Sequence, residues 1–291
     1  MNLKKMLLLG VVAVSAAFVT VGCGEKKAAA SKEKPKEITV ISRDESSGTR
    51  GAFDELMKIT DGKTNNLFAE AVIVSSTDEV ASKAEVDADA IGYTSLGSVT
   101  DKVKALSIDG VEAKEENVKN GTYKISRPFV VATRQNSSLP IADDFISFLV
   151  STNGQAVVGK GGYITIDVAT SEYTAKGLSG KLTLSGSTSV EKVIEKLKEE
   201  YVKLNPKVNV EINYNGSSAG IKDCLESKSD VAMSSRELKA EEKEKLSGTT
   251  FALDGIAVIV NKANELSNIT SETVTKVFTG EIRYWNDLAA Q

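Results

Sequence analysis

The sequence predicts an α/β protein, and three observations predict it. After residue 36, short β-rich runs alternate with runs of helical period along most of the chain. Its 291 residues, 41% hydrophobic and 26% charged, suffice for one large or two small cores. Glycine- and serine-rich turns stand between several strands and the helices that follow, which is the punctuation of strand–turn–helix units.

The elements follow in order. Ile38–Ser42 is strand-like, Gly51–Ile59 helical and Ala71–Ser76 strand-like. Lys124–Thr133 is a longer strand, and Asp143–Val158 an amphipathic helix. Lys181–Ser185 and Val208–Tyr214 are strands; in the second, Val208, Val210, Ile212 and Tyr214 alternate with polar residues. The helix between them, 190–203, carries Val190, Val193, Ile194, Leu197 and Tyr201 at helical spacing. A helix near 219–227 follows, and Phe251–Asn261 is again a strand. Residues 168–180 are small and polar and form a linker between two structured halves.

The N-terminus is a targeting segment. Lys4 and Lys5 precede an apolar run from Met6 to Val19 that is too short to serve well as a membrane span. Small residues then lead into Cys23, so residues 1–22 form a lipoprotein signal peptide and Cys23 takes the lipid; Thr20 stands where leucine is usual. Residues 23–36 are rich in Ala, Ser and Lys and form a flexible tether to the membrane. With Cys23 lipidated, Cys224 has no partner for a disulfide and is expected to be a small buried hydrophobe.

Composition excludes several classes. Acidic residues outnumber basic ones, 40 to 36, which argues against nucleic acid as a partner. There is no histidine, so histidine-based acid/base catalysis, the Ser-His-Asp triad and most zinc enzyme sites are gone. No metal or cofactor is implied.

Three hydroxyl-rich turns carry the chemistry. Arg43-Asp44-Glu45-Ser46-Ser47-Gly48-Thr49-Arg50, Ser185-Gly186-Ser187-Thr188-Ser189 and Asn215-Gly216-Ser217-Ser218-Ala219-Gly220 each follow a strand and open a helix. A helix N-terminus has unpaired N–H groups and partial positive charge, so it holds anions. Each turn alone is more often a plain helix cap. Together, with the planar guanidinium of arginine, they describe a convergent oxyanion site. None has P-loop spacing. Gly216–Gly220 also fits the G-x-S-x-G elbow of serine hydrolases, but the histidine that elbow needs is missing.

At these turns the chain resembles the phosphate-binding proteins of phosphate ABC transporters, the PstS family. The matching runs are ITVISRDESSGTRGAFDEL (38–56), SSTDEVASK (75–83), AIGYTSLGSV (90–99), ISRPFVVAT (125–133), GKLTLSGSTSV (180–190), GSSAGIK (216–222), SDVAMSSRELK (229–239), LDGIAVIVNK (253–262) and FTGEIRYWNDL (278–288). The family usually opens with the run resembling GKLTLSGSTSV, so the order here looks like a circular permutation, with 168–180 joining the usual end to the usual start. The resemblance implies a two-lobe, type II periplasmic-binding-protein-like fold with the ligand between lobes. One lobe would hold 37–100 and 264–291, the other 101–263.

It also implies the function: capture of inorganic phosphate outside the membrane and delivery to the permease subunits, without catalysis. The ligand-binding residues would be Arg43, Ser47, Gly48 and Thr49 from one lobe and Thr188, Ser189, Ser217 and Ser235 from the other. Ser235 stands where some family members have an aspartate that accepts the proton of hydrogen phosphate; Glu45 or Glu237 could take that role. The alternatives are a binder of sulfate or molybdate on the same fold, a serine hydrolase using Ser217, and a non-transporting sensor or scaffold.

Overall fold

The computed structural model describes residues 36–137, 139–167 and 171–288. The signal peptide, Cys23 and nearly all of the tether lie outside the described residues.

The first stretch runs β1 (Thr39–Arg43), α1 (Gly48–Leu56), β2 (Val72–Val74), α2 (Thr77–Val86) and β3 (Ala90–Ser95). Short β4 (Val103–Ala105), β5 (Ser107–Ile108) and α3 (Glu115–Lys119) lead to β6 (Ser126–Arg134). Helices α4 (Pro140–Leu149) and α5 (Thr152–Lys160) follow, then β7 (Gly180–Gly186), α6 (Glu191–Leu204) and β8 (Val208–Tyr214). The chain closes with α7 (Ser217–Leu225), β9 (Val231–Ser234), α8 (Ala240–Lys243), β10 (Leu246–Asn261), β11 (Asn268–Ile269), α9 (Ser271–Phe278) and α10 (Trp285–Leu288).

The main sheet has the order β2-β1-β3-β10-β6-β9-β7-β8, with β4 also on β10. Two parallel blocks stand at its ends. β2, β1 and β3 form one, and β9, β7 and β8 the other. Antiparallel β6 and β10 join them. β10 is 16 residues long: its start pairs with β6 and its end with β3 and β4.

Period-2 alternation gives each block two buried faces. On the β1 side, Val40, Phe53, Tyr93, Leu106, Ile125, Ile256, Val258 and Phe278 share one core, while Ile41, Val74, Val80, Ala257 and Ile259 pack on the other face. Phe53 stacks on Tyr93 at 4.0 Å and meets Phe278 edge-on at 4.9 Å. On the β7 side, Phe129, Phe145, Leu184, Ile194, Leu197, Tyr201 and Phe251 form one core, and Val130, Ala132, Ile221, Cys224 and Leu246 the other. Cys224 is the small buried hydrophobe expected, and burial pushes its thiol pKa up.

Two details differ from the sequence expectation. The amphipathic run 143–158 is two helices, because Ser151 caps α5 through Gly154 N (3.2 Å) and donates back to the Phe148 carbonyl (2.7 Å). The strand expected at 251–261 begins five residues earlier, at Leu246. Leu106, Val118, Tyr123 and Ile125 pack with Ile38 and Val40, and so do Val258 and Val260. One continuous strand of roughly 50 Å, β10, contributes residues to both main cores.

Residues 36–38 lie against 283–286. Ile38 N donates to Arg283 O at 2.7 Å, and Trp285 N to Lys36 O at 2.9 Å. Linker residues 171–179 have no regular structure, and the Tyr173 hydroxyl donates to buried Asp144, which also accepts from Tyr201 at 2.9 Å.

Candidate anion-binding site

In an open α/β sheet, ligands bind beyond the carboxyl ends of the parallel strands. Here β1 ends at Arg43, β2 just before Ser75, β7 at Gly186, β8 just before Asn215 and β9 at Ser234. The turns after these strands meet one another across the two halves.

From the β1 half come Arg43 and the start of α1. Ser47 caps that helix, its Oγ accepting from Arg50 N at 3.2 Å. Its hydroxyl thus serves the cap, while Gly48 and Thr49 face the other half. Thr49 Oγ1 lies 2.6 Å from Ser189 Oγ. Gly48 is packed so closely that a Cβ there would lie 2.2 Å from Ser217 Oγ and 2.9 Å from Ser235 Oγ. Only a glycine permits that approach.

From the β7 half come three more turns. Thr188 and Ser189 occupy a single 3-10 turn that leads into α6. Ser217 is the first residue of α7, after Gly216, whose φ of 98° suits glycine. Ser235 follows β9; its amide donates to Ser217 Oγ at 3.1 Å and its hydroxyl accepts from Ser187 at 2.9 Å. Outside the cluster, Ser218 N donates to Ser46 O at 3.0 Å, another tie between halves.

Arg43 is 1% exposed. Its Nη1 donates to Thr77 Oγ1 (3.2 Å), and its Nη2 to Ser75 O (2.8 Å) and Thr188 Oγ1 (3.2 Å). Its Nε has no partner. Burial lowers its pKa, since a desolvated cation is disfavoured; nearby Asp44 opposes this. A bound anion would restore the lost solvation.

The structure thus brings seven of the eight expected residues into one cluster, all of them buried but half-buried Thr188, with Ser47 at its edge as a cap. Glu45 is exposed, and Glu237 is exposed and paired with Lys243 at 3.3 Å, so neither supplies a carboxylate to it. Asp44 is occupied by Ser46, whose amide it accepts at 2.8 Å. Ser217 Oγ accepts from the Ser235 amide and lies 3.4 Å from its hydroxyl. The arrangement can surround a tetrahedral oxyanion with hydroxyl, amide and guanidinium donors.

Sequence reasoning missed Thr77, Ser187 and the Ser75 carbonyl. The signal was there: Ser76 and Glu79 form a capping box directly after β2, marking a fourth hydroxyl-bearing helix start.

Comparison with known proteins gives the following. Residues 30–153 and 171–291 match the family model described as a PBP superfamily domain. Phosphate-binding protein PstS 2 of Streptococcus pneumoniae serotype 4 is 45% identical over 99% of this chain and 100% of its own length. PstS 2 of Streptococcus agalactiae serotype V is 41% identical over the same shares. The crystal structure of a phosphate-binding protein of a phosphate ABC transporter from S. pneumoniae TIGR4 matches with a TM-score of 0.70 and 46% identity, covering 87% of this chain and 99% of that one.

Proposed function

The chain belongs to the PstS family of phosphate-binding proteins within the PBP superfamily, and on that premise we propose that its interlobe cluster captures inorganic phosphate for an ABC-type permease. One observation carries the site: Arg43, Thr49 and Thr77 of one half meet Thr188 and Ser189 of the other through hydrogen bonds of 2.6–3.2 Å. An anion in their midst would take over those donors. Because the donors come from both halves, the closed arrangement binds better than an open one, and phosphate shifts the population toward closure. The ligands are Arg43, Gly48, Thr49, Thr188, Ser189, Ser217 and Ser235, with Ser47 holding the α1 start in place. The protein performs no reaction on phosphate.

The protein works on the extracytoplasmic side. Among the described residues, no helix is long and apolar enough to cross a membrane. Anchoring would come from lipid on Cys23; Cys23→Ala should move the protein from the membrane fraction to the medium, and retention in the membrane would count against it. We read the chain order as a circular permutation, supported by the contact of residues 36–38 with 283–286.

Isothermal titration with phosphate and with sulfate tests the ligand. Tight binding of phosphate alone is expected. Equal binding of both would favour the second reading, a general tetrahedral-oxyanion binder, for which it speaks that Ser235 has no carboxylate partner among the described residues.

A further inference from the structure

The cap of helix α2 does not need the Thr77 hydroxyl. Helix α2 is already capped: Ser76 Oγ accepts from Glu79 N at 3.2 Å, and Glu79 Oε2 accepts from Ser75 N (2.8 Å), Ser75 Oγ (2.9 Å) and Ser76 N (3.1 Å). Those bonds hold the Glu79 carboxyl below the usual carboxylate range, so the capping charge persists. Yet Thr77 is 2% exposed, and its Oγ1 touches Arg43 Nη1 (3.2 Å), Thr188 Oγ1 (3.0 Å) and Ser189 Oγ (3.0 Å). Its amide, one of the unpaired donors of the helix start, points to Thr188 Oγ1 at 3.3 Å.

Proton accounting assigns the direction. The guanidinium can only donate, so Thr77 Oγ1 accepts from Arg43. The single hydroxyl proton of Thr77 must then go elsewhere, toward the partners from the opposite half. Meanwhile Ser75 O accepts from Arg43 Nη2 at 2.8 Å. Residues 75–77 therefore grip both terminal nitrogens of Arg43 and leave Nε, buried and unpartnered, as a free donor.

We propose that Thr77 is a positioning residue of the phosphate site: it orients the Arg43 guanidinium and turns its own proton toward the bound oxyanion. This rests on the phosphate reading above. Dedicated orientation matters because arginine otherwise loses affinity to rotamer freedom, and a misplaced fork loses its bidentate geometry.

The test is phosphate titration of the full chain with Thr77→Val, which keeps shape and removes the hydroxyl, and Thr77→Ser, which keeps it. Valine should weaken phosphate about 10- to 100-fold, the range for a hydrogen bond to a charged group, and serine should restore affinity to within about threefold. The melting temperature without phosphate should fall by only a few degrees, the cost of one lost buried hydrogen bond. In a cycle with Arg43→Lys, the valine effect should shrink, since it acts through the guanidinium. If valine disturbs folding, Thr77→Ala serves in its place. Wild-type affinity in the valine or alanine variant, or full additivity with Arg43→Lys, would overturn the inference alone. Failure of the wild-type chain to bind phosphate would instead overturn the phosphate reading, and this inference with it.

Discussion

Gly48→Ala adds one carbon where the two halves press together. That carbon would sit 2.2 Å from Ser217 Oγ, 2.8 Å from Ser217 Cβ and 2.9 Å from Ser235 Oγ, whereas ordinary contacts begin near 3.4 Å. Ser217 cannot swing aside without giving up the Ser235 amide it accepts at 3.1 Å. The halves must therefore part by roughly 1 Å. Such a shift stretches Thr49–Ser189 (2.6 Å) and Ser218 N–Ser46 O (3.0 Å) beyond hydrogen-bond range. Two such bonds are worth about 1–3 kcal/mol, the same size as a typical overpacking cost. Phosphate affinity should fall about 5- to 150-fold. Gly48 is helical with ordinary φ, so alanine does not strain α1, and its helix propensity is better. Calorimetry should thus show weaker binding while the melting temperature without phosphate holds or rises. Affinity within about twofold of wild type would refute the view that closure at Gly48 builds the site.

Ser235→Asp places a carboxylate among the donors, where it accepts from a protonated oxyanion and repels a fully deprotonated one. Sulfate binding should vanish while phosphate binding persists, and competition titration reads both; retained sulfate binding would count against the placement of Ser235. At the crossing of the halves, buried Arg127 pairs with Asp254 at 3.0 Å, and Asp254 also accepts from Ser95 at 2.9 Å. Asp254→Ala leaves Arg127 buried without its partner and should cost about 3–5 kcal/mol in urea denaturation, whereas the apolar double replacement Arg127→Met/Asp254→Leu should recover most of it. Equal stability of the single variant and wild type would contradict this.

Much of the fold was legible because local chemistry and tertiary packing agree. Strand β8 follows its alternation residue for residue, and α6 its apolar face, since both bury that face against one core. The three turns were legible because strand ends, glycine and hydroxyl residues stand next to one another in sequence. What escaped depends on distance. Where one core gives way to the other is illegible in β10, which serves both, because nothing in its own residues marks the change. Ser151 was hidden inside an apolar period that continues across the cap. Thr77 was overlooked because a capping box explains its surroundings without a ligand; only the approach of Arg43, 34 residues earlier, reveals its use.

Phosphate titration of wild type beside Arg43→Ala tests the central claim most directly. Arg43 donates to Thr77 and Thr188 inside the hydroxyl cluster, and removing a buried, hydrogen-bonded charge partner costs about 2–5 kcal/mol or more. The wild-type chain should saturate with one phosphate per protein, and the variant should bind at least about 30-fold more weakly. Equal affinity in the two would mean that phosphate binds elsewhere or not in this manner.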